Sequence, residues 1–428
     1  MGKNLWTRDF TILTLGSVVS MFGNAVSGFS MGLLVLDYTD STLLYALFMV
    51  CYSLPRVAVP LLAGPYLDRF SRKKVIYSLD FFSAAFYGLM GLLLYRGVFS
   101  YPLLICLAVL VGSVDSVYSV AYDSLYPTLI SEGNFTKAYS VSSLIYPLAT
   151  TIMVPVAGIC YNTIGLAPLF LFNAGTFLIA ALFETRIRAD ESHLIRRDSE
   201  RFDLRRYGAD LREGLQYLRS EKGLMAITLY FFVSMLVMGV QSTLVLPFFR
   251  SHTFEVGEGF SRLLRFVKTD EGLGVGIYTL VMSFATVGRL AGGLIHYRFK
   301  YPVNRKFAIA IFVYSAICLL DGAYMYLPVA WMLIFNFLVG VLGVTSYNIR
   351  ISSTQDYVED AKRGRFNGAF QMLTMAGSIL GQLIAGGLGE VFPPRAVVLA
   401  AMVLNLFAVA FIMYPNREHV KKIYNREA

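Results

Sequence analysis

The sequence predicts an all-α polytopic membrane protein: twelve transmembrane helices in two six-helix bundles, with both termini cytoplasmic. Three observations carry this. Of the 428 residues 56% are hydrophobic and only 15% charged, against about 25% charged in soluble domains. Apolar windows of roughly 20 residues, enough to cross about 30 Å of hydrocarbon, recur twelve times between charged or turn residues. The one long polar stretch before the C-terminus divides those windows six and six.

The windows are 10–36, 43–67, 75–95, 101–127, 138–161, 165–184, 223–248, 273–295, 306–327, 329–349, 366–389 and 396–414. The first is too long for a removable secretory signal and has no small-residue cleavage site after a short apolar core, so it is expected to stay in the protein. The net charge of +9 follows topology rather than a nucleic-acid partner. With both termini inside, about 30 of the 37 Lys and Arg fall on the cytoplasmic side. Attraction to anionic membrane lipid is a further expectation.

The expected domains are a bundle over 1–184, a cytoplasmic linker over 185–222 and a second bundle over 223–428. Within the linker, Leu211, Leu215 and Leu218 stand at helical spacing among charges, which predicts a surface helix. The second half echoes the first. "GPYLDRFSRKK" at 64–74 corresponds to "GGLIHYRFKYPVNRK" at 292–306, with Gly64 and Asp68 opposite Gly292 and His296, as two fused six-helix units would leave. The stretch 249–272 is long for an outer loop. Its "FSRLLRFVK" reads either as a short amphipathic helix capping a cavity or as solvated chain.

Four spans carry polar residues at steps of three or four, hence on one face. Span one has Ser17, Ser20, Asn24, Ser27 and Gly28; span four Gly112, Asp115, Ser119 and Tyr122. Span seven has Tyr230, Ser234, Met238 and Gln241; span ten Asn336, Gly340, Gly343 and Tyr347. Such faces avoid lipid, because unpaired polar groups are costly in hydrocarbon. Each could serve only to join helices. Their occurrence on spans one, four, seven and ten, equivalent positions when each half is divided in three, instead suggests a shared central cavity. Gly377, Gly381 and Ala385 on span eleven, and Gly288 and Gly292 on span eight, read as packing ridges.

Ionisable residues deep in a span are functional candidates. Arg56 lies twelve residues before Asp68, roughly 18 Å along a helix, and Asp115 lies about 20 Å beyond Pro102, so both fall near mid-membrane. They form either a static ion pair or a switch in which Asp115 takes up and releases a proton as it moves relative to Arg56. Asp37, Asp123 and Asp321 lie nearer the water boundaries and rank second. Cys51, Cys106, Cys160 and Cys318 occupy different spans without metal-ligand spacing, so neither a disulfide nor a metal is expected. Tyr122, Tyr230 and Tyr347 suit flat amphipathic ligands.

"GPYLDRFSRKK" resembles the cytoplasmic loop motif of the major facilitator superfamily, G-x-x-x-D-R-x-x-R-[RK]-[RK], through Gly64, Asp68, Arg69, Arg72, Lys73 and Lys74; Ser71 replaces a common glycine. "LVLDYTDS" at 34–41, "LPR" at 54–56, "DLREGLQYLRS" at 210–220 and "GRFNGAF" at 364–370 are similar to the macrolide-efflux and enterobactin-exporter branch of drug:proton antiporters. The antiporter element G-P-x-x-G is only partly kept in "MVPVAG", where Val154 stands for the first glycine before Pro155 and Gly158. The resemblance implies the major facilitator fold, alternating access, a monomer and the bacterial cytoplasmic membrane. It also implies that Asp68, with Arg69 and Arg72, latches onto the start of span eleven at Gly364 and Arg365, where a helix N-terminus favours an acid. A purely topogenic cluster explains the bases but not Asp68 after Gly64.

Enzymatic chemistry finds no support: His193, His252, His296 and His419 are scattered, and there is no phosphate loop, serine elbow or metal spacing. No cofactor is expected. The sequence therefore reads as a secondary transporter, a proton-coupled multidrug-type exporter of a hydrophobic or amphipathic small molecule. A lysolipid or lipid carrier and a nutrient importer are the alternatives of the same class, and a membrane scaffold has no use for a buried acid.

Overall fold

The computed structural model describes residues 5–56, 59, 71–131, 134–188, 204–254, 270–298 and 302–426. Among these the regular structure is helical. The first half contains α1 (Arg8–Thr39), α2 (Thr42–Ser53), α3 (Arg72–Tyr95), α4 (Tyr101–Leu125), α5 (Phe135–Ile164) and α6 (Leu166–Glu184). A helix α7 (Leu204–Ser220) precedes α8 (Lys222–Ser251), α9 (Asp270–Arg298), α10 (Lys306–Ala323), α11 (Val329–Tyr357), α12 (Asp360–Val391), α13 (Pro394–Ala408) and α14 (Arg417–Tyr424). Eleven helices among the described residues are long and apolar enough to cross a membrane. They correspond to the expected spans except the second, which is described only as the short apolar helix α2, its remainder lying outside the described residues.

Helix ends follow capping chemistry. The Thr7 side chain accepts from the Phe10 N–H at 3.3 Å to open α1, and Ser71 does the same for Lys74 at 3.4 Å to open α3. α1 closes on Asp40 in the left-handed region at φ 48°. α5 passes through Pro147 and Pro155 without ending. Hydroxyls bond to its carbonyls near the first, Thr151 to Pro147 O at 2.6 Å and Thr150 to Tyr146 O at 3.1 Å.

Backbone proximity divides the chain into two compact units, Met1–Ser41 with Phe48–Phe202 and Gly257–Thr279, and Thr42–Leu47 with Asp203–Val256 and Leu280–Ala428. In the first, α1 packs on α5 and α6, and α3 on α4 and α6. In the second, α8 packs on α12 and α13, and α10 on α11 and α13. The same four pairings recur in chain order, the signature of a duplicated six-helix unit.

Small residues set the closest approaches. A Cβ added to Gly377 would lie 2.5 Å from the Phe232 carbonyl oxygen, while Gly381 and Gly239 face the carbonyls of Leu236 and Ser378, so α8 and α12 meet backbone to backbone. Gly288 of α9 faces Phe337 O, and Gly340 of α11 faces Ala285 O. Gly340 was expected on a polar stripe; the structure puts it in this ridge, because a missing side chain is what allows the approach. The second unit's core contains Tyr230, Tyr314, Phe366, Val420, Ile423 and Tyr424, with the Tyr314 and Tyr424 hydroxyls 3.0 Å apart. The leucine spacing of the linker does give a helix, α7. Its Leu218 is buried in that core, and it packs on α12.

Candidate functional site

The first unit encloses a cavity of about 600 Å³. α1 contributes Ser17, Ser20, Asn24, Ser27 and Gly28 to its wall, and α4 contributes Asp115, Tyr118, Ser119, Tyr122 and Asp123. Tyr52 and Arg56 line it from α2 and the residues just after it, Asp80 and Tyr87 from α3, Tyr146 from α5 and Phe177 from α6. Met21, Met31, Phe48, Met49 and Val111 make most of the remaining wall apolar. A concave, mainly apolar chamber with a few polar groups suits an organic ligand of moderate size.

One polar cluster on the wall is built by close helix packing. Gly112, one turn before Asp115, faces the Tyr52 carbonyl oxygen with no room for a Cβ between them. That approach brings Asp115 to the end of α2. The Tyr52 hydroxyl donates to Asp115 Oδ2 at 2.7 Å and accepts from Arg56 Nη2 at 3.2 Å. Arg56 and Asp115 themselves are 3.7 Å apart, and the guanidinium lies 4.9 Å from the Tyr52 ring centroid. The Arg56 side chain is 50% exposed and that of Asp115 26%, so this pair faces the chamber rather than being sealed in protein. It can exchange one partner for a ligand or a proton without the full cost of exposing a buried charge.

The structure thus brings Ser20, Asn24, Arg56, Asp115, Ser119, Tyr122 and Asp123 to one cavity. Asp37 is half-buried elsewhere in the first unit, accepting from the Tyr161 hydroxyl at 3.1 Å on each oxygen. The four candidates from the second half belong to the other unit. Tyr230 is 2% exposed and stacks on Tyr314 with centroids 4.6 Å apart. The buried Asn336 donates to Met332 O at 3.0 Å. Gln241 lies beside the buried Asp321, and Tyr347 is exposed with its ring 5.3 Å from the Arg350 guanidinium. Of the expected latch, Gly64, Asp68 and Arg69 lie outside the described residues. Arg72 Nη1 donates to Ser124 O at 2.8 Å at the end of α4. Gly364 lies in the first turns of α12, and Arg365 pairs with Glu213 of α7 at 2.6 Å. The "FSRLLRFVK" stretch is also outside the described residues. No group of three or more His, Cys, Asp or Glu among the described residues could hold a metal ion, and the four cysteines are free.

Sequence reasoning missed Tyr52, which bridges the pair, and two buried acids, Asp80 and Glu184. Tyr52 stands four residues before Arg56, one helical turn, which was a readable signal. Asp80 was readable as an acid inside an apolar span. Glu184 sat at a span boundary and looked like its polar flank.

A family model described as Major Facilitator Superfamily matches residues 13–349 and 304–427. Macrolide efflux protein A of Streptococcus pyogenes is 23% identical over 412 residues, covering 90% of this chain and 91% of that protein. An uncharacterized MFS-type transporter of Bacillus subtilis, YkuC, is 25% identical over 315 residues, 72% of this chain and 69% of that one. Among solved structures, the nucleoside transporter NupG is similar with a TM-score of 0.68 at 13% identity, covering 95% of this chain and 98% of its own. A bacterial homologue of the iron transporter ferroportin in an inward-facing state gives 0.64 at 16% identity, covering 95% and 99%. At these identities the structural likeness speaks for the fold alone.

Proposed function

The chain belongs to the Major Facilitator Superfamily, and from that premise we propose that it is a proton-coupled exporter of a hydrophobic or amphipathic organic molecule. The observation that carries this reading is the chamber of the first unit. Its apolar wall offers area to a greasy ligand, and its open ion pair, Asp115 with Arg56, offers a place where ligand and proton compete. The macrolide-efflux relative, similar over 90% of the chain, favours export and a bulky amphipathic substrate.

In this mechanism Asp115 holds Arg56 through Tyr52 while ionised. Protonation of Asp115 removes the charge that anchors the guanidinium, and the freed donors of Arg56 and Tyr52 turn to the ligand. Ligand release reverses the exchange. Ser20, Asn24, Ser119 and Tyr122 supply weaker polar contacts around an apolar body. The proposal includes a monomer in the bacterial cytoplasmic membrane with its termini inside, and rocking of two helix bundles without a cofactor.

The test is substrate-dependent proton flux in proteoliposomes with a macrolide as the probe. Asp115→Asn is expected to abolish the flux. Tyr52→Phe, which deletes a hydrogen bond to a charged group worth about 1.5–3 kcal/mol, should cut it by about tenfold or more. Undiminished flux in Asp115→Asn would remove Asp115 from the coupling step. Macrolide-independent lipid movement in the same vesicles would favour the lipid-carrier alternative.

A further inference from the structure

The first unit also holds a pair of acids that the mechanism above does not use. Asp80, two turns into α3, is 1% exposed, and Glu184, the last residue of α6, is 0% exposed. The packing of α3 on α6 brings them together, with the two carboxyls within hydrogen-bond reach of each other. Neither is paired with a Lys or Arg among the described residues. All four carboxyl oxygens are buried, and none accepts a hydrogen bond from a described N–H or O–H in good geometry. The Tyr118 hydroxyl beside them is likewise buried without such a partner.

Two carboxylates left in this condition are not a stable arrangement. Each has lost its water without gaining a donor, and each repels the other in a poorly screened interior. One proton resolves both faults: it neutralises one acid and becomes the donor the other lacks, forming a strong charge-assisted hydrogen bond. The groups facing the pair agree. α4 contributes Asp115, Tyr118 and Tyr122, all neutral or acidic, and α1 contributes Ser17 and Gly16, where a Cβ would come within 3.0 Å of Glu184 Oε1. The nearest cation on the cavity wall, Arg56, is engaged with Asp115 and Tyr52. Asp80 and Tyr118 both line the cavity, so the pair has a route to water there.

We propose that Asp80 and Glu184 form a proton-binding site that holds one proton between two carboxyls and loads it from the cavity. A proton leaves a cavity hydronium and an O–H bond forms on one carboxyl oxygen; the pair's charge goes from −2 to −1, and no other bond changes. Its use in transport rests on the proton-coupled reading above, whereas the existence of the site does not. Asp115 and this pair then give the chamber two separate proton acceptors, one facing the ligand and one behind the wall.

The test is infrared absorption of purified, detergent-solubilised protein at pH 7, following the deuterium-sensitive C=O stretch of protonated carboxyls. Wild type should show one such band per chain from this pair, apart from any contributed by the buried Asp321 of the second unit, an arm that needs no variant. Asp80→Asn and Glu184→Gln should each lose it, because an amide N–H then supplies the donor and removes the second charge, while Asp115→Asn should keep it. Circular dichroism checks that each variant is folded; if one is not, the other and the wild type still decide. A wild type without the band, a folded pair variant that retains it, or its loss in Asp115→Asn would each overturn the proposal. No substrate enters the measurement, so a failure of the export reading leaves this result standing.

Discussion

Replacing Gly377 by Ala puts a methyl group into the close contact of α8 with α12. The added Cβ would stand 2.5 Å from Phe232 O and 3.3 Å from the Phe232 carbonyl carbon, where a carbon and a carbonyl oxygen belong at about 3.3 Å or more. α8 and α12 must therefore part by about 0.8 Å. The obstacle is backbone on both sides, so no side chain can swing away. Overpacking of this kind costs about 1–3 kcal/mol, partly offset by the gain of up to about 1 kcal/mol when Ala replaces Gly in a helix. Gly387→Ala is the internal control: it lies on the same helix, takes the same propensity gain, and its Cβ would meet nothing within 4 Å. In the difference between the two variants the propensity cancels. Thermal unfolding in detergent should place Gly377→Ala below Gly387→Ala by several degrees, taking about 2–4 °C per kcal/mol. Equal midpoints would mean that α8 and α12 are not held by this ridge.

Three further outcomes follow from the same unit. Gly214 of α7 would place a Cβ 2.5 Å from Arg365 O, so Gly214→Ala should lift α7 from α12 and expose the amides of α7 to faster hydrogen exchange. Glu213→Gln breaks only the adjacent pair, whose side chains are 56% and 39% exposed, and should cost no more than about 1 kcal/mol. Burial, and next the neighbouring Tyr314, hold the Tyr424 hydroxyl well above the usual phenol range. A group raised on folding keeps its whole contribution below its unfolded value, about 10, and loses it as pH rises beyond. Thermal stability should therefore fall above about pH 10, and Tyr424→Phe should lessen that slope by up to about 1.4 kcal/mol per pH unit, read from midpoints at pH 8 to 11.

Eleven of the twelve apolar windows were legible among the described residues because lipid imposes a length and a composition that no local packing disguises; Leu166–Glu184 against an expected 165–184 is an example. The cavity wall was legible on α1 and α4, where Ser20, Asn24, Asp115, Ser119 and Tyr122 recur at helical steps and do line one chamber. The same periodicity in the second half selected Tyr230, Asn336 and Gly340, which spend their special chemistry on Tyr314, the Met332 carbonyl and the Ala285 carbonyl. Spacing fixes which residues share a face, but not which neighbour the face meets. The pairing of Asp80 with Glu184 depends on α3 lying against α6, a tertiary fact that neither span contains.

α5 has a mechanical consequence for the chamber it walls. A proline lacks the N–H that would hold the carbonyl four residues earlier, so the turns before Pro147 and Pro155 have fewer rungs to break when they bend. Tyr146 and Ser142, which face the chamber, sit on that compliant stretch, whereas α1 has no proline and α4 has one only in its first turn. On the proposed transport reading, guests of different girth would be accommodated chiefly by yielding of this one stave, while Asp115 and Arg56 on the other walls keep their register.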